Sequence, residues 1–284
     1  MWRTAIMGAF MGVVLKVGGD YWVDMADLSI DLSGVGSAYI SSFSSKKIVG
    51  YVGGEKVTIN GSGFATDSNG YLKPTGTIKS VQLSYAGETS MSVSGLNLSV
   101  TELADIAESG SEKQALALLK SALSGDDKMS GGRYSDVLYG YNGNDTLTGN
   151  ASRDKLYGGA GNDKLYGGAD GDKLYGGGNK DTFIFKKASD SAVSGTGRDS
   201  IYDFSKKQGD KIDLSAIDAN WKASGNQAFK FIGDDDFHGK AGELRYTKYK
   251  SDTYIQADAN GDRKADFGIH LDDSLSLSKG DFLL

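Results

Sequence analysis

The chain has no cysteine, a single proline and only two histidines in 284 residues. Without cysteine there is no disulfide framework and no thiolate chemistry, so stability outside a cell has to come from packing or from bound metal. Basic residues are also outnumbered, 31 against 37 acidic, for a formal charge of -6. That balance excludes nucleic acid as a partner, because phosphate contacts need clustered Lys and Arg, and it favours cations. A run that could span a bilayer is lacking too. The apolar stretch from Ala5 to Leu15 behind Arg3 matches the core of a signal peptide in length, whereas a membrane helix needs about 20 residues. Its one candidate cleavage site, Val17 to Gly19, has Lys16 beside it, so a buried first strand or helix competes with that reading.

What is abundant is glycine, 41 residues. Glycine without proline indicates many turns with positive φ rather than a proline-rich disordered tail.

Three periodicities divide the chain. Up to about residue 98, apolar and polar positions alternate between glycine-rich turns, as in Lys46 to Val52, Lys56 to Asn60 and Thr77 to Leu83, which predicts half-buried strands. Ser99 to Glu102 and Ser111 to Gln114 then match capping boxes, and Leu116, Leu119 and Leu123 fall on one helical face. From Gly125 to Phe185 the period is nine. The expected architecture is all-β dominated: a β-rich N-terminal domain with two short helices (1–120), a parallel β-roll (121–186) and a β-rich C-terminal cap (187–284).

Asp136, Asp145, Asp154, Asp163, Asp172 and Asp181 are spaced by nine without a gap, and Asp127 opens the series in a degenerate copy. Two residues after each stands an apolar side chain: Met129, Leu138, Leu147, Leu156, Leu165, Leu174 and Phe183. Five residues before each, from Asp136 onward, stands a glycine, from Gly131 to Gly176. Each unit is thus a turn ending in a carboxylate, followed by a short strand whose middle side chain points inward. One unit cannot bury its leucine alone, so the copies must stack.

If successive turns lie on opposite sides of a flattened coil, aspartates 18 apart lie over one another, and stacked carboxylates repel unless a hard dication sits between them. Calcium suits that slot, because it accepts six or more oxygens in loose geometry; magnesium wants a tighter octahedron and zinc wants His or Cys. The candidate metal residues are the seven aspartates with Gly143, Gly159, Gly161 and Gly168 of the turns. Tyr141 and Asn150 replace the second glycine, and Tyr134 and Ser152 the next, so those turns should bind less well. Tyr139, Tyr157 and Tyr175 should stack by the same rule, as should Lys155 and Lys173, either as a ligand-binding face or simply as good strand residues.

These repeats, best preserved at Gly158 to Tyr166 and Gly167 to Tyr175, resemble the calcium-binding nonapeptides of the RTX (repeats-in-toxin) family. Arg198 to Phe204, Gly209 to Asp218, Gln227 to Gly233, Ala241 to Tyr246 and the closing Asp281 to Leu284 are similar to the cap that follows such repeats in serralysin proteases, RTX lipases and alginate epimerases. The resemblance implies several calcium ions and folding on calcium outside the cell. It also implies export by type I secretion machinery through an uncleaved C-terminal signal.

Asp258-Ala259-Asn260-Gly261-Asp262 with Asp266 mimics the start of an EF-hand loop, but Ile269 stands where the closing Glu belongs, so a turn is the favoured reading.

His-Glu-x-x-His and Gly-x-Ser-x-Gly are both missing, and His238 and His270 lie in the cap, so the expectation is a protein without enzymatic activity. The acidic group Asp24, Asp27 and Asp31 leaves a polysaccharide- or ester-acting hydrolase as an alternative. In layout the chain is similar to secreted rhizobial nodulation proteins of the RTX family. That implies action on a host membrane or cell-surface target, through nodulation signalling or as a cation channel.

Overall fold

The computed structural model describes residues 38–52, 55–65, 75–85, 88–102, 117–118 and 120–284. The apolar run at Ala5 to Leu15, the acidic group Asp24, Asp27 and Asp31, the second capping box, Leu116 and Leu119 lie outside them. The chain forms two compact units, Met1–Met129 and Ser130–Leu284. Among the described residues no helix is long and apolar enough to cross a membrane, which says nothing of a strand-built barrel.

The first unit is an antiparallel meander of β1 (Ala38–Ser44), β2 (Lys47–Val52), β3 (Glu55–Ser62), β4 (Thr77–Tyr85) and β5 (Glu88–Ser99), each paired with the next. The alternation read from the sequence is interrupted by register shifts, including one inside β4. Ile78 and Val81 are both buried although three residues apart. A register shift between Ile78 and Ser80 inserts the extra residue that brings them to one side. Val100 to Glu102 are helical, and the Glu102 N–H donates to Ser99 Oγ at 3.3 Å, as expected of an N-cap serine. Leu123 is fully buried. Strand β6 (Lys128–Ser130) carries buried Met129.

The second unit is a flattened coil, with strands that alternate between two parallel sheets. β7 (Val137–Asn142), β9 (Lys155–Ala160), β11 (Lys173–Gly178), β13 (Asp199–Ile201) and β18 (Phe267–Leu271) form one. β8 (Thr146–Asn150), β10 (Lys164–Gly168), β12 (Thr182–Ile184), β14 (Lys211–Asp213) and β19 (Phe282–Leu283) form the other. The register offset in the roll is 18 residues, Leu138 to Leu156 to Leu174 in one sheet and Leu147 to Leu165 to Phe183 in the other.

The core is the stack of these inward side chains. Leu147, Leu156, Leu165, Leu174 and Phe183 are at 0% exposure, and Ile201, Ile212 and Leu271 continue the same rows into the cap at the same value. Each such burial contributes roughly 1.5–3 kcal/mol, and none is available to a single repeat. Roll and cap therefore share one core. The cap adds β15 (Lys230–Phe231), β16 (Glu243–Lys248) and β17 (Thr253–Asp258), with β16, β17 and β18 antiparallel.

Candidate metal centre

Each repeat aspartate closes its turn immediately before the strand, so the strand that buries the leucine also fixes the carboxylate. Asp127, Asp136, Asp145, Asp154, Asp163, Asp172 and Asp181 are all buried, at 0–4% exposure. Within the second unit they form two rows. The Asp136 N–H donates to Asp154 Oδ1 at 2.6 Å and Asp154 N–H to Asp172 Oδ1 at 2.7 Å; on the other side Asp145 donates to Asp163 at 2.7 Å and Asp163 to Asp181 at 2.9 Å. Aspartates 18 apart are thus stacked, and Oδ1 of Asp154, Asp172, Asp163 and Asp181 is fixed by the neighbouring turn.

The second oxygen turns back toward the glycine that opens its own turn. A Cβ at Gly158 would collide with Asp163 Oδ2 and stand 2.5 Å from the Gly176 carbonyl oxygen; one at Gly149 would meet Asp154 Oδ2 and stand 2.5 Å from Gly167 O. Gly131, Gly140, Gly167 and Gly176 face the Oδ2 of Asp136, Asp145, Asp172 and Asp181 in the same way. These glycines are needed because a carboxylate and, at Gly131, Gly140, Gly149 and Gly158, a carbonyl converge where a side chain would be. Gly159, Gly161 and Gly168 have φ of 114°, 135° and 110°, and a Cβ on each would strike the carbonyl oxygen 18 residues earlier, of Tyr141, Gly143 and Asn150. Gly143 itself has φ 115°.

The irregular turns keep this geometry under strain. Tyr141, Asn150 and Ser152 are forced to positive φ of 72°, 81° and 70°, a region that L residues seldom occupy. Asp127 belongs to the first unit, where its Oδ1 lies against Gly95, a residue with φ 102°.

The electrostatics call for a cation. Burial pushes the Asp172 carboxyl up to about 7 despite the Asp154 N–H, with Asp170 and Asp190 adding to the rise. Burial likewise takes Asp181 to about 7, with Asp210 and Asp163 adding, and Asp127 to about 6. The Oδ2 atoms of Asp172, Asp181 and Asp199 are buried and accept no hydrogen bond. A buried anionic oxygen without a partner is costly. Carboxylate and carbonyl oxygens, with no nitrogen or sulfur among them, form a donor set that fits calcium.

Sequence reasoning missed the continuation of both rows. Asp172 N–H donates to Asp199 Oδ1 at 2.9 Å and Asp181 N–H to Asp210 Oδ1 at 3.0 Å, 27 and 29 residues on. Burial holds the Asp199 carboxyl well above its usual range, with Asp172 next in effect. The two rows end differently. Asp210 gives its other oxygen to the Ser205 N–H at 2.8 Å, whereas beyond Asp199 the row passes to Ser191, whose Oγ accepts the Asp199 N–H at 2.8 Å. Asp203 also enters the site region, accepting the Gly176 and Gly177 N–H groups at 2.8 Å each. The available signal was Asp-x-apolar, present in Asp199-Ser200-Ile201 and Asp210-Lys211-Ile212.

At Asp258 and Asp266 the oxygens serve the loop itself. Asp258 accepts the Gly261 and Arg263 N–H groups at 2.6 and 2.9 Å, and Asp266 accepts from Ala259, Asn260 and the Asn260 side chain. This is a turn held by its own aspartates. His238 hydrogen-bonds the buried Glu243 at 3.0 Å; burial raises that carboxyl, and the His238 N–H and ring together outweigh it and hold it low.

A parallel two-sheet roll with buried aspartate rows at glycine turns defines a class, the calcium-dependent β-roll of secreted RTX proteins. The chain belongs to the peptidase M10 serralysin C-terminal family, whose model matches residues 122–284. It is thus a secreted, calcium-binding RTX protein at that level of description. Among solved structures it is similar to the AlgE6R3 subunit of the Azotobacter vinelandii mannuronan C5-epimerase, at 34% identity over 53% of this chain and 78% of that one, TM-score 0.40. The AlgE6R2 subunit of the same epimerase is 27% identical over 55% of this chain and 91% of its own, TM-score 0.41. No curated protein matches.

The family match corrects the expectation of a protein without enzymatic activity. The family is described by a peptidase. The missing protease and lipase motifs are therefore no ground for excluding catalysis.

Proposed function

We propose that the unit of residues 130–284 is a folding device that stays open where calcium is scarce and closes on several calcium ions after export, and that Asp136 to Asp181 together with Asp199 hold those ions. The observation that carries this reading is the set of buried Oδ2 atoms that accept no hydrogen bond, on Asp172 and Asp199 in one row and on Asp181 in the other, each carboxyl raised in pKa by burial. Calcium, when bound, supplies the positive charge that lets these carboxylates stay ionised inside the roll. The chain's own residues do the rest. The strand leucines hold each carboxylate in place, the turn glycines leave room for oxygen, and the neighbouring N–H fixes the free rotation of each aspartate.

Because the site exists only in the folded roll, the free energy of binding is free energy of folding. Circular dichroism of the full chain should show strand signal rising cooperatively with calcium and lost in a chelator. The same strand content at both extremes would refute the reading, and calorimetry would count the ions.

The finer role we propose is action outside the cell on a host or cell-surface target, after passage through a type I transporter, with symbiotic nodulation as one setting. The family match of the roll and cap supports the export route, and the β-meander of the first unit supplies a surface for the target. Loss of export from a Gram-negative host when the transporter is deleted would support the route; unchanged export would sink it.

A further inference from the structure

The outer face of the sheet β7–β9–β11–β13–β18–β17 ends in a polar cluster that belongs to neither aspartate row. Register places Ser200 beside His270 and His270 beside Tyr254. Thr253 pairs with Leu271 in antiparallel register, so Asp252 and Asp272, one residue beyond on each strand, stand opposite each other. Like charges directly opposite in an antiparallel pair are destabilising. A cation between them removes that penalty.

The third group makes the arrangement a site rather than an acidic surface. His270 Nε2 lies 2.8 Å from Asp252 Oδ1, and ligand atoms of Asp252, His270 and Asp272 all fall within 4.8 Å of one another. The imidazole is oriented from both remaining sides. Its Nδ1 lies 3.0 Å from Ser200 Oγ and its ring stacks on Tyr254 at 5.0 Å between centroids. When Nε2 binds a metal, Nδ1 carries the proton and donates it to Ser200 Oγ, the outer partner that ligating histidines commonly have. His270 and Asp252 are partly covered, with side chains 16% and 27% exposed, so solvent reaches the open side of the cluster.

The neighbouring tyrosines do not compete as a ligand platform. Tyr139, Tyr157, Tyr175 and Tyr202 stack on one another at 4.7, 4.5 and 4.7 Å, nearly parallel, so each ring face is covered by the next.

We propose that Asp252, His270 and Asp272 form a second metal site, specific for a nitrogen-preferring dication of the zinc type rather than for calcium. Two carboxylates match the charge of the ion, and one imidazole selects zinc over the all-oxygen preference of calcium. The site is independent of the aspartate rows and lies on the surface of the cap.

The experiment is calorimetric titration of the calcium-saturated full chain with zinc chloride, excess calcium keeping the aspartate rows occupied. One equivalent should bind, and His270→Ala and Asp272→Asn should each weaken it by at least about ten-fold, with His238→Ala unchanged. Cobalt(II) as a substitute should give visible absorption that His270→Ala abolishes. No zinc binding by the calcium-saturated protein would overturn the proposal. Equal binding by the wild type and Asp272→Asn would also do so, and that variant, altered only at an exposed carboxylate, decides the matter even if His270→Ala fails to fold.

Discussion

Replacing Gly158 by alanine adds one methyl group at the point where the structure concentrates oxygen. The backbone there does not require positive φ, so the effect is steric. The new Cβ would stand 2.5 Å from Gly176 O and 2.9 Å from Asp163 Cβ, and would collide with Asp163 Oδ2. Ordinary contact begins at 3.4 Å, so the turn has to open by about 0.9 Å, or the carboxylate has to leave its place. Overpacking of this kind costs about 1–3 kcal/mol, which corresponds to a roughly 5- to 150-fold weaker calcium affinity where folding and binding are coupled.

Gly178→Ala is the matched control, because its Cβ meets only Gly159 O at 3.8 Å. Where alanine fits, it is expected to be neutral or to stabilise by about 0.4–1 kcal/mol. Calcium titrations followed by circular dichroism should therefore separate the two variants, with Gly158→Ala folding only at much higher calcium. If both fold at the calcium concentration of the wild type, the oxygen cradle at the turn glycines is not where calcium is held.

Other consequences are open to measurement. Asp199→Asn removes a buried charge at the end of its row, and should raise the calcium midpoint by about ten-fold or more; an unchanged midpoint would show that the row ends at Asp172. Asp172 and Asp181 are pushed up to about 7 from 3.8 in the folded chain, so the calcium-free fold binds protons that the unfolded chain releases. Its stability is then greatest in acid and falls as pH rises from about 4 through 7, while calcium affinity rises over the same window. Chelator-treated protein that gains strand signal on going from pH 8 to 5, with a higher calcium midpoint at pH 5, would agree; a calcium midpoint independent of pH would not. Leu165→Ala, at a side chain with 0% exposure, should cost about 2–5 kcal/mol in denaturant unfolding at saturating calcium, and a loss below 1 kcal/mol would contradict a core shared along the roll.

The nonapeptide repeat was legible by itself, because in a solenoid the place of each residue is set by its neighbours at a fixed offset. Period nine placed Leu138 to Phe183 inside, stacked aspartates 18 apart and assigned the turn glycines, and alternation marked β2, β3 and β4. Asp199 and Asp210 escaped because the 27- and 29-residue offsets pass through irregular segments, so only the shared core rows through Ile201 and Ile212 keep them in line. The loop from Asp258 to Asp266 resembled a metal site in its spacing, and only the three-dimensional course of its N–H groups showed where the oxygens go. The cluster of Ser200, His270, Asp252 and Asp272 had no sequence signature at all. Its members are brought together by one parallel and one antiparallel pairing, and pairing between distant strands is decided by the packed core rather than by any local run of residues.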